Sequence, residues 1–294
     1  MINEAARTLL YLPLYHAIEK GYFSDEGIDV QIVTGGTASN SFTAMLGGQA
    51  QFSQADPMYV PISRQSGADT KVVGQIVGRI AVWGVTLDPA VKNMGPSALR
   101  GKIVSTHIRP MTAYTYTSKL IQNDSLRPDI DVKILQSQPG TELVPLLTHR
   151  ADFAMTIEPQ VSQAVQQGAH VVFSYPQQLG NQVFTGLMAR ADFIASNQAL
   201  VKSVLKAYQR ALDDIHANPE ATISTAIKYF PQLDQQILKA AITRVISEQV
   251  IPKSLYISEE SWNKAVAVRL AAGDLHNPAP AFSDCVDQSL QSHQ

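Results

Sequence analysis

At 294 residues, 45% of them hydrophobic, the chain is long enough for one large or two medium domains with a sizeable core. Charged residues make up only 16% and the formal net charge is -2, which excludes both the basic field of a nucleic-acid binder and an acidic interaction tail. The single cysteine, Cys285, excludes an internal disulfide, a cysteine-based zinc cluster and a C-x-x-C redox pair.

The first apolar run, TLLYLPLY (8–15), is too short to span a membrane, contains Pro13 and has no cationic stretch before it, so it makes a poor leader. In GYFSDEGIDVQIVTGGT (21–37), Ile28, Val30 and Ile32 alternate with Asp29, Gln31 and Val33, which predicts a strand ended by Gly35 and Gly36. A helix follows from about Ser39, capped by Thr37 or Ser39, with Phe42, Met45 and Leu46 on one face and Gly47 and Gly48 as its stop. A strand at 50–55 then leads into Asp56-Pro57.

LRGKIVST (99–106) reads as another strand entry, and TAYTYTSKLIQN (112–123) as a helix following Arg109-Pro110. DVKIL (131–135) alternates as a strand, PGTE (139–142) makes a turn and cap, ELVPLLTH is a short helix, and ADFAMTI (151–157) is a strand ending at Glu158-Pro159. This repeats the grammar of the first hundred residues: Gly-Thr, helix, a strand with Phe, and an acid-Pro pair. Such alternation predicts α/β layering with mostly parallel strands, built twice. IAVWGVTL (80–87) and QVFTGLMA (182–189) are the candidate joining strands. Thereafter the chain turns helical. QALVKSVLKAYQRALDDIHA (198–217) sets Leu200, Val204, Leu205, Tyr208, Leu212 and Ile215 on one stripe, and SEESWNKAVAVRLAAG (258–273) opens on a capping serine and closes on Gly273.

Motifs for covalent or metal chemistry are absent. GPSALRGK (95–102) has five residues between its glycines where a phosphate loop has four, and Ile103 stands where the magnesium-binding hydroxyl belongs. H-E-x-x-H, G-x-S-x-G and G-x-G-x-x-G do not occur, and the seven histidines show no ligand spacing.

The stretch YLPLYHAIEKGYFSDEGIDVQIVTGGTASNSFTAMLGGQAQFSQADP resembles the sulfonate, nitrate, taurine and thiamine-precursor binding proteins of bacterial ABC importers. The resemblance rests on Pro13, Gly21-Tyr22-Phe23, Glu26-Gly27-Ile28-Asp29-Val30, Gly35-Gly36 and Gly48-Gln49-Ala50, with LRGKIVST and ADFAMTIEP as second-lobe signatures. The yeast thiamine-pyrimidine synthases of this fold carry a cysteine-rich motif, and this chain has only Cys285. The resemblance implies a type II periplasmic-binding-protein fold: two α/β lobes with a ligand cleft between them and additional C-terminal helices. Lobe 1 is expected from 1–85 plus 186–294 and lobe 2 from 86–185.

With such a cleft, the candidate ligand contacts are Tyr11, Leu12, Gly36, Thr37, Ala38, Ser39, Gln54 and Asp56 in the first lobe, and His107, Arg109, Met111, Thr112 and Glu158 in the second. Helix N-termini at these loops favour anions by roughly 0.3–1 kcal/mol each. Arg109 reads equally as an anion clamp or a solvated loop residue, and Glu158 as a partner for a ligand amine or a helix cap. Trp83, Phe184 and Tyr175 stack on a flat ligand or fill the core. Two acids opposite one arginine suit a zwitterion or aminated heterocycle better than nitrate.

The expected protein is an extracytoplasmic or periplasmic solute-binding component of an ABC importer, monomeric, with an export signal already removed. Its expected partners are a small-molecule ligand and a membrane permease; nucleic acid, metal, cofactor and catalysis play no part. The alternatives are an enzyme on the same fold, of menaquinone-pathway or thiamine-pyrimidine type, and a regulator's effector domain. The last would need a DNA-binding helix-turn-helix that no segment supplies.

Overall fold

The computed structural model describes residues 1–92, 95–109, 111–138 and 140–291. Pro110 and Pro139, which the sequence places in the loops at 109–112 and 139–142, lie outside them. The chain divides into two compact units, one of Met1–Ile80, Leu179–Gln232 and Ile242–Gln294, the other of Ala81–Gln178 with Leu233–Ala241.

The first unit holds β1 (Ile2–Glu4), β2 (Ile32–Thr34), β3 (Phe52–Ala55) and β4 (Thr70–Val77). The second holds β5 (Trp83–Thr86), β6 (Ile103–His107), β7 (Lys133–Ser137), β8 (Phe153–Thr156) and β9 (His170–Ser174), and the chain returns through β10 (Thr185–Arg190) to the first. The sheet orders are β2-β1-β3-β10-β4 and β7-β6-β8-β5-β9. In each, a lead strand (β1 or β6) pairs in parallel with two neighbours, and one antiparallel strand (β10 or β5) follows. The repeated plan read from the sequence is therefore a repeat of topology. Trp83, Gly84 and Val85, which the expected boundary assigns to lobe 1, pair with β8 and β9 in the second sheet. Thr185, on the lobe 2 side of that boundary, pairs with Val77 in the first sheet.

The helix expected at 112–123 is Thr112–Asn123, and those at 198–217 and 258–273 are Gln198–Ala217 and Glu259–Ala272, the last capped by Ser258 and ended by a left-handed Gly273. The helix after the glycine pair is Ala38–Leu46, with the Thr37 hydroxyl accepting the Asn40 N–H. Three expectations are corrected. The strand from Ile28 begins only at Ile32, because its partner β1 spans three residues and offers no ladder before Gln31. Leu46 and Leu200 are exposed, since each lies at the margin of its helix's apolar stripe rather than on it. β1 itself is too short to show an alternating pattern.

The first unit's core joins its sheet to the C-terminal helices through Tyr15, Phe23, Tyr208 and Trp262, all fully buried. At about 25 cal/mol per Å² of apolar surface removed from water, such aromatic residues dominate the packing. The second unit's core centres on Trp83 and Phe153, with Tyr175 edge-on to Phe173 and Tyr116.

Candidate functional site

Ligands of open α/β sheets bind beyond the carboxyl ends of the strands. In the first unit β1 ends on Glu4, a fully buried carboxylate. Its Oε1 accepts from Arg7 Nε at 2.9 Å and from the hydroxyl of Thr34, the end of β2, at 2.8 Å, while Oε2 accepts from Tyr15 at 2.5 Å. The Arg7 guanidinium lies over the ring of Tyr15, 4.9 Å from its centroid, and Tyr15 stacks on Tyr229 at 4.7 Å. Burial and then the Glu4 charge hold the Tyr15 phenol far above its ordinary pKa, so it remains a donor.

Beside this cluster, the glycine pair has two separate causes. A Cβ on Gly35 would come within 2.8 Å of Asn3 Oδ1 and 2.9 Å of the Ser41 backbone nitrogen, so the side chain is excluded by close packing. Gly36 takes a left-handed φ of 80°, which turns the chain into the helix capped by Thr37. Gln54, buried near the end of β3, accepts through Oε1 from the Tyr208 hydroxyl at 2.6 Å. Asp56 accepts the Met58 N–H at 2.9 Å and pairs with Arg269, which also donates to Asp274 at 2.9 Å. Tyr11 and Leu12 are buried at the head of helix Leu12–Glu19, Ala38 begins the next helix, and Ser39 is exposed in its first turn.

In the second unit β6 ends on His107, whose Nε2 sits 2.6 Å from Glu142 Oε1. Glu142 is fully buried and accepts the Gly140 N–H at 2.9 and 3.1 Å and the hydroxyl of Thr156, the end of β8, at 3.5 Å. Gly140 is left-handed, as Gly36 is. Arg109 is exposed; its backbone N–H donates to Gln136 at 2.9 Å and its guanidinium lies 4.9 Å from the Tyr114 ring centroid. Met111 precedes the helix and Thr112 begins it. Glu158, fully buried after β8, accepts the Ser162 N–H at 3.0 Å and its hydroxyl at 2.9 Å, which is the capping role weighed for it.

Of the aromatic candidates, Trp83 is fully buried between β8 and β9, Tyr175 is buried and donates to the Tyr116 carbonyl at 2.7 Å, and Phe184 is half-buried before β10. A cavity of about 410 Å³ lies elsewhere, against the amino ends of β6 and β8, where Lys102, Arg150 and Asp152 line it. It faces away from the strand ends that position the candidate residues. Among the described residues no group of three His, Cys, Asp or Glu could hold a metal ion.

Sequence reasoning missed Glu4, Arg7, Tyr15, Glu142 and Arg269. Glu142 was visible as the acid of PGTE, but only as part of a turn. Glu4 ends a strand of three residues and Arg7 follows it, which gives no periodicity to read. Arg269 meets Asp56 across 213 residues, a pairing no local pattern announces.

Comparison with known proteins finds similarity over most of the chain. YtlA of Bacillus subtilis is 20% identical over 294 residues, covering 98% of this chain and 87% of YtlA. The riboflavin-binding protein RibY of Chloroflexus aurantiacus is 24% identical over 285 residues, covering 91% of this chain and 79% of RibY. The alkanesulfonate-binding protein SsuA of Xanthomonas axonopodis, solved with MOPS bound, superposes with a TM-score of 0.74 at 14% identity, covering 99% of this chain and 97% of that one. The likeness confirms the type II periplasmic-binding-protein fold. The model of the NMT1/THI5-like family matches residues 10–222, most of the chain, and the protein belongs to that family.

Proposed function

We propose that the protein is the solute-binding component of an ABC importer, working outside the cytoplasmic membrane as a monomer and delivering a small organic ligand to a permease. The observation that carries this reading is the matched equipment of the two sheets. At the carboxyl ends of each lie a left-handed glycine before a helix, a buried glutamate held by several donors, and an arginine resting on a tyrosine ring. Two half-sites of this kind suit capture of one ligand by hinged closure, in which contacts made only in the closed form favour that form. The proposed solute is a sulfonate, an aromatic carboxylate or a nitrogen heterocycle, and the names of the riboflavin-binding RibY and the alkanesulfonate-binding SsuA support the first and last of these.

The same equipment speaks for binding without chemistry. Each buried acid is occupied by donors of its own unit, and the one thiol, Cys285, is buried, which pushes its pKa up to about 11. A nucleophile needs the opposite shift.

Native mass spectrometry of gently purified protein, followed by thermal-shift screening, tests this reading. A retained small molecule, or a stabilisation that grows with ligand concentration, is the expected result. Conversion of a screened compound into product would replace the binding protein with an enzyme.

A further inference from the structure

The strand registers of the two sheets align the units residue by residue. Ile2 of β1 pairs with Phe52, and Val104 of β6 pairs with Phe153, at the same place in each sheet order. On the other side Ile2 pairs with Ile32 and Val104 with Ile134, which gives the same match. Five residues on from Ile2 and Val104 stand Arg7 and Arg109. The repeat thus sets an arginine at one equivalent position in each unit, on the loop leaving the lead strand, and each guanidinium lies 4.9 Å from a tyrosine centroid.

Charge on these faces is unevenly committed. Asp56 is held by Arg269, Glu158 by Ser162, and Glu4 by three donors. Arg7 gives only its Nε to Glu4; among the described residues its two terminal nitrogens bond nothing, and its side chain is 42% exposed. The Tyr15 ring, 4.9 Å from the guanidinium carbon, and the Nε bond to Glu4 hold the group, leaving its two terminal nitrogens to donate from its outer edge. That fork matches a planar or tetrahedral oxyanion, and its pre-organisation limits the entropy lost on pairing. The acids that would have favoured an aminated ligand are engaged, whereas the arginine edge is open.

We propose that Arg7, the first unit's counterpart of Arg109, binds an acidic group of the solute, so that the ligand is a carboxylate, sulfonate or phosphate ester rather than an amine. This rests on the solute-binding reading above. The test is calorimetric titration with matched pairs: benzoate against benzamide, ethanesulfonate against ethanesulfonamide, and riboflavin 5′-phosphate against riboflavin, with 4-aminopyrimidine alongside. Which pair responds separates the three acid types. In the wild type the acid of at least one pair should bind at least tenfold more tightly than its neutral twin. Arg7→Gln should abolish that preference while leaving the neutral twin's affinity unchanged, and Arg7→Lys should retain part of it. Arg127→Gln, which removes an exposed charge paired only locally with Asp131, should behave as wild type.

Loss of affinity for acid and neutral twin alike in Arg7→Gln would mark Arg7 as structural and overturn the proposal. Preference for the neutral twins or for 4-aminopyrimidine would overturn it while leaving solute binding intact. Binding of no compound by the wild type would overturn the proposal for these acids, and a small molecule retained in native mass spectrometry would then keep the solute-binding reading standing.

Discussion

The two units share a strand order yet hold their buried acids in different ways. In the first, Glu4 belongs to the lead strand and is satisfied by side chains: Arg7, Thr34 and Tyr15. In the second, Glu142 comes from the loop after β7 and is satisfied largely by the Gly140 backbone N–H, with Thr156 and His107 beside it. At the register position that His107 occupies, the first unit has Ala5. A repeated topology therefore fixes where loops emerge but leaves open which residue supplies charge and how it is neutralised.

The largest expected effect separates the cores. Trp83 is fully buried in β5, and Trp83→Ala should cost about 3–5 kcal/mol through lost transfer energy and the cavity left behind. Hydrogen exchange should then speed up in β5, β8 and β9 of the second sheet. Retained protection there would mean that this sheet does not depend on Trp83.

Next come the acids themselves. Glu4→Gln leaves the Tyr15 and Thr34 hydroxyls with a neutral partner and should cost about 1.5–3 kcal/mol, the range for hydrogen bonds to a charged group. The Arg7 contribution within that sum should be small, because an ion pair with one partner this exposed is screened by water. Glu142→Gln should cost less, since both of its carboxylate oxygens share the one Gly140 N–H and a single amide oxygen can keep that bond. Chemical denaturation of both variants orders them; a larger loss for Glu142→Gln would reverse the contrast.

What the sequence showed and hid follows the same division. Gly-Thr turns, caps and long helix stripes are local, and Thr37, Ser258, Gly273 and the helix from Gln198 were readable because their causes lie within one or two turns of chain. β1 was not, because three residues carry too little pattern, and the antiparallel placement of β5 and β10 was not, because a strand's own residues do not say which neighbour it pairs with or in which direction. Within the site, the loops were readable and the pairings were not. Glu4 with Tyr15, Tyr208 with Gln54 and Arg269 with Asp56 are tertiary events. The acid-Pro repeat was visible, but only the fold showed one acid in an ion pair and the other in a cap.

The glycine pair gives a sharper, smaller test of local against tertiary cause. Gly35→Ala places a methyl against the Asn3 side chain and the Ser41 backbone and should cost about 1–3 kcal/mol, as overpacking does. Gly36→Ala meets no atom within 4 Å and should cost only the left-handed backbone penalty of about 1–2 kcal/mol. Equal losses in thermal melts would remove the close-approach argument for Gly35.

The smallest effect concerns pH and belongs to the first unit alone. His16 is fully buried, with Nε2 2.7 Å from Asp214 and Nδ1 2.9 Å from the Thr225 hydroxyl, an arrangement that suits the neutral ring donating through Nε2 and accepting at Nδ1. Burial lowers its pKa, opposed by the hydrogen bond and charge of Asp214, while nearby Lys20 lowers it further and Glu19 raises it. Asp214, although burial pushes it up, is held below its ordinary value by the bonds from His16 and Tyr22. Because the folded histidine resists protonation more than the unfolded one, its contribution to stability is fully present above the unfolded pKa of about 6.5 and declines as pH falls below it. Asp214 contributes in a lower window, its share of stability being lost as pH falls below about 3.9. Melts of the wild type should therefore lose stability as pH falls below about 6.5, and His16→Gln should flatten that slope while lowering stability at pH 7. An unchanged slope in His16→Gln would assign the pH dependence to other groups and leave the His16 to Asp214 contact as packing alone.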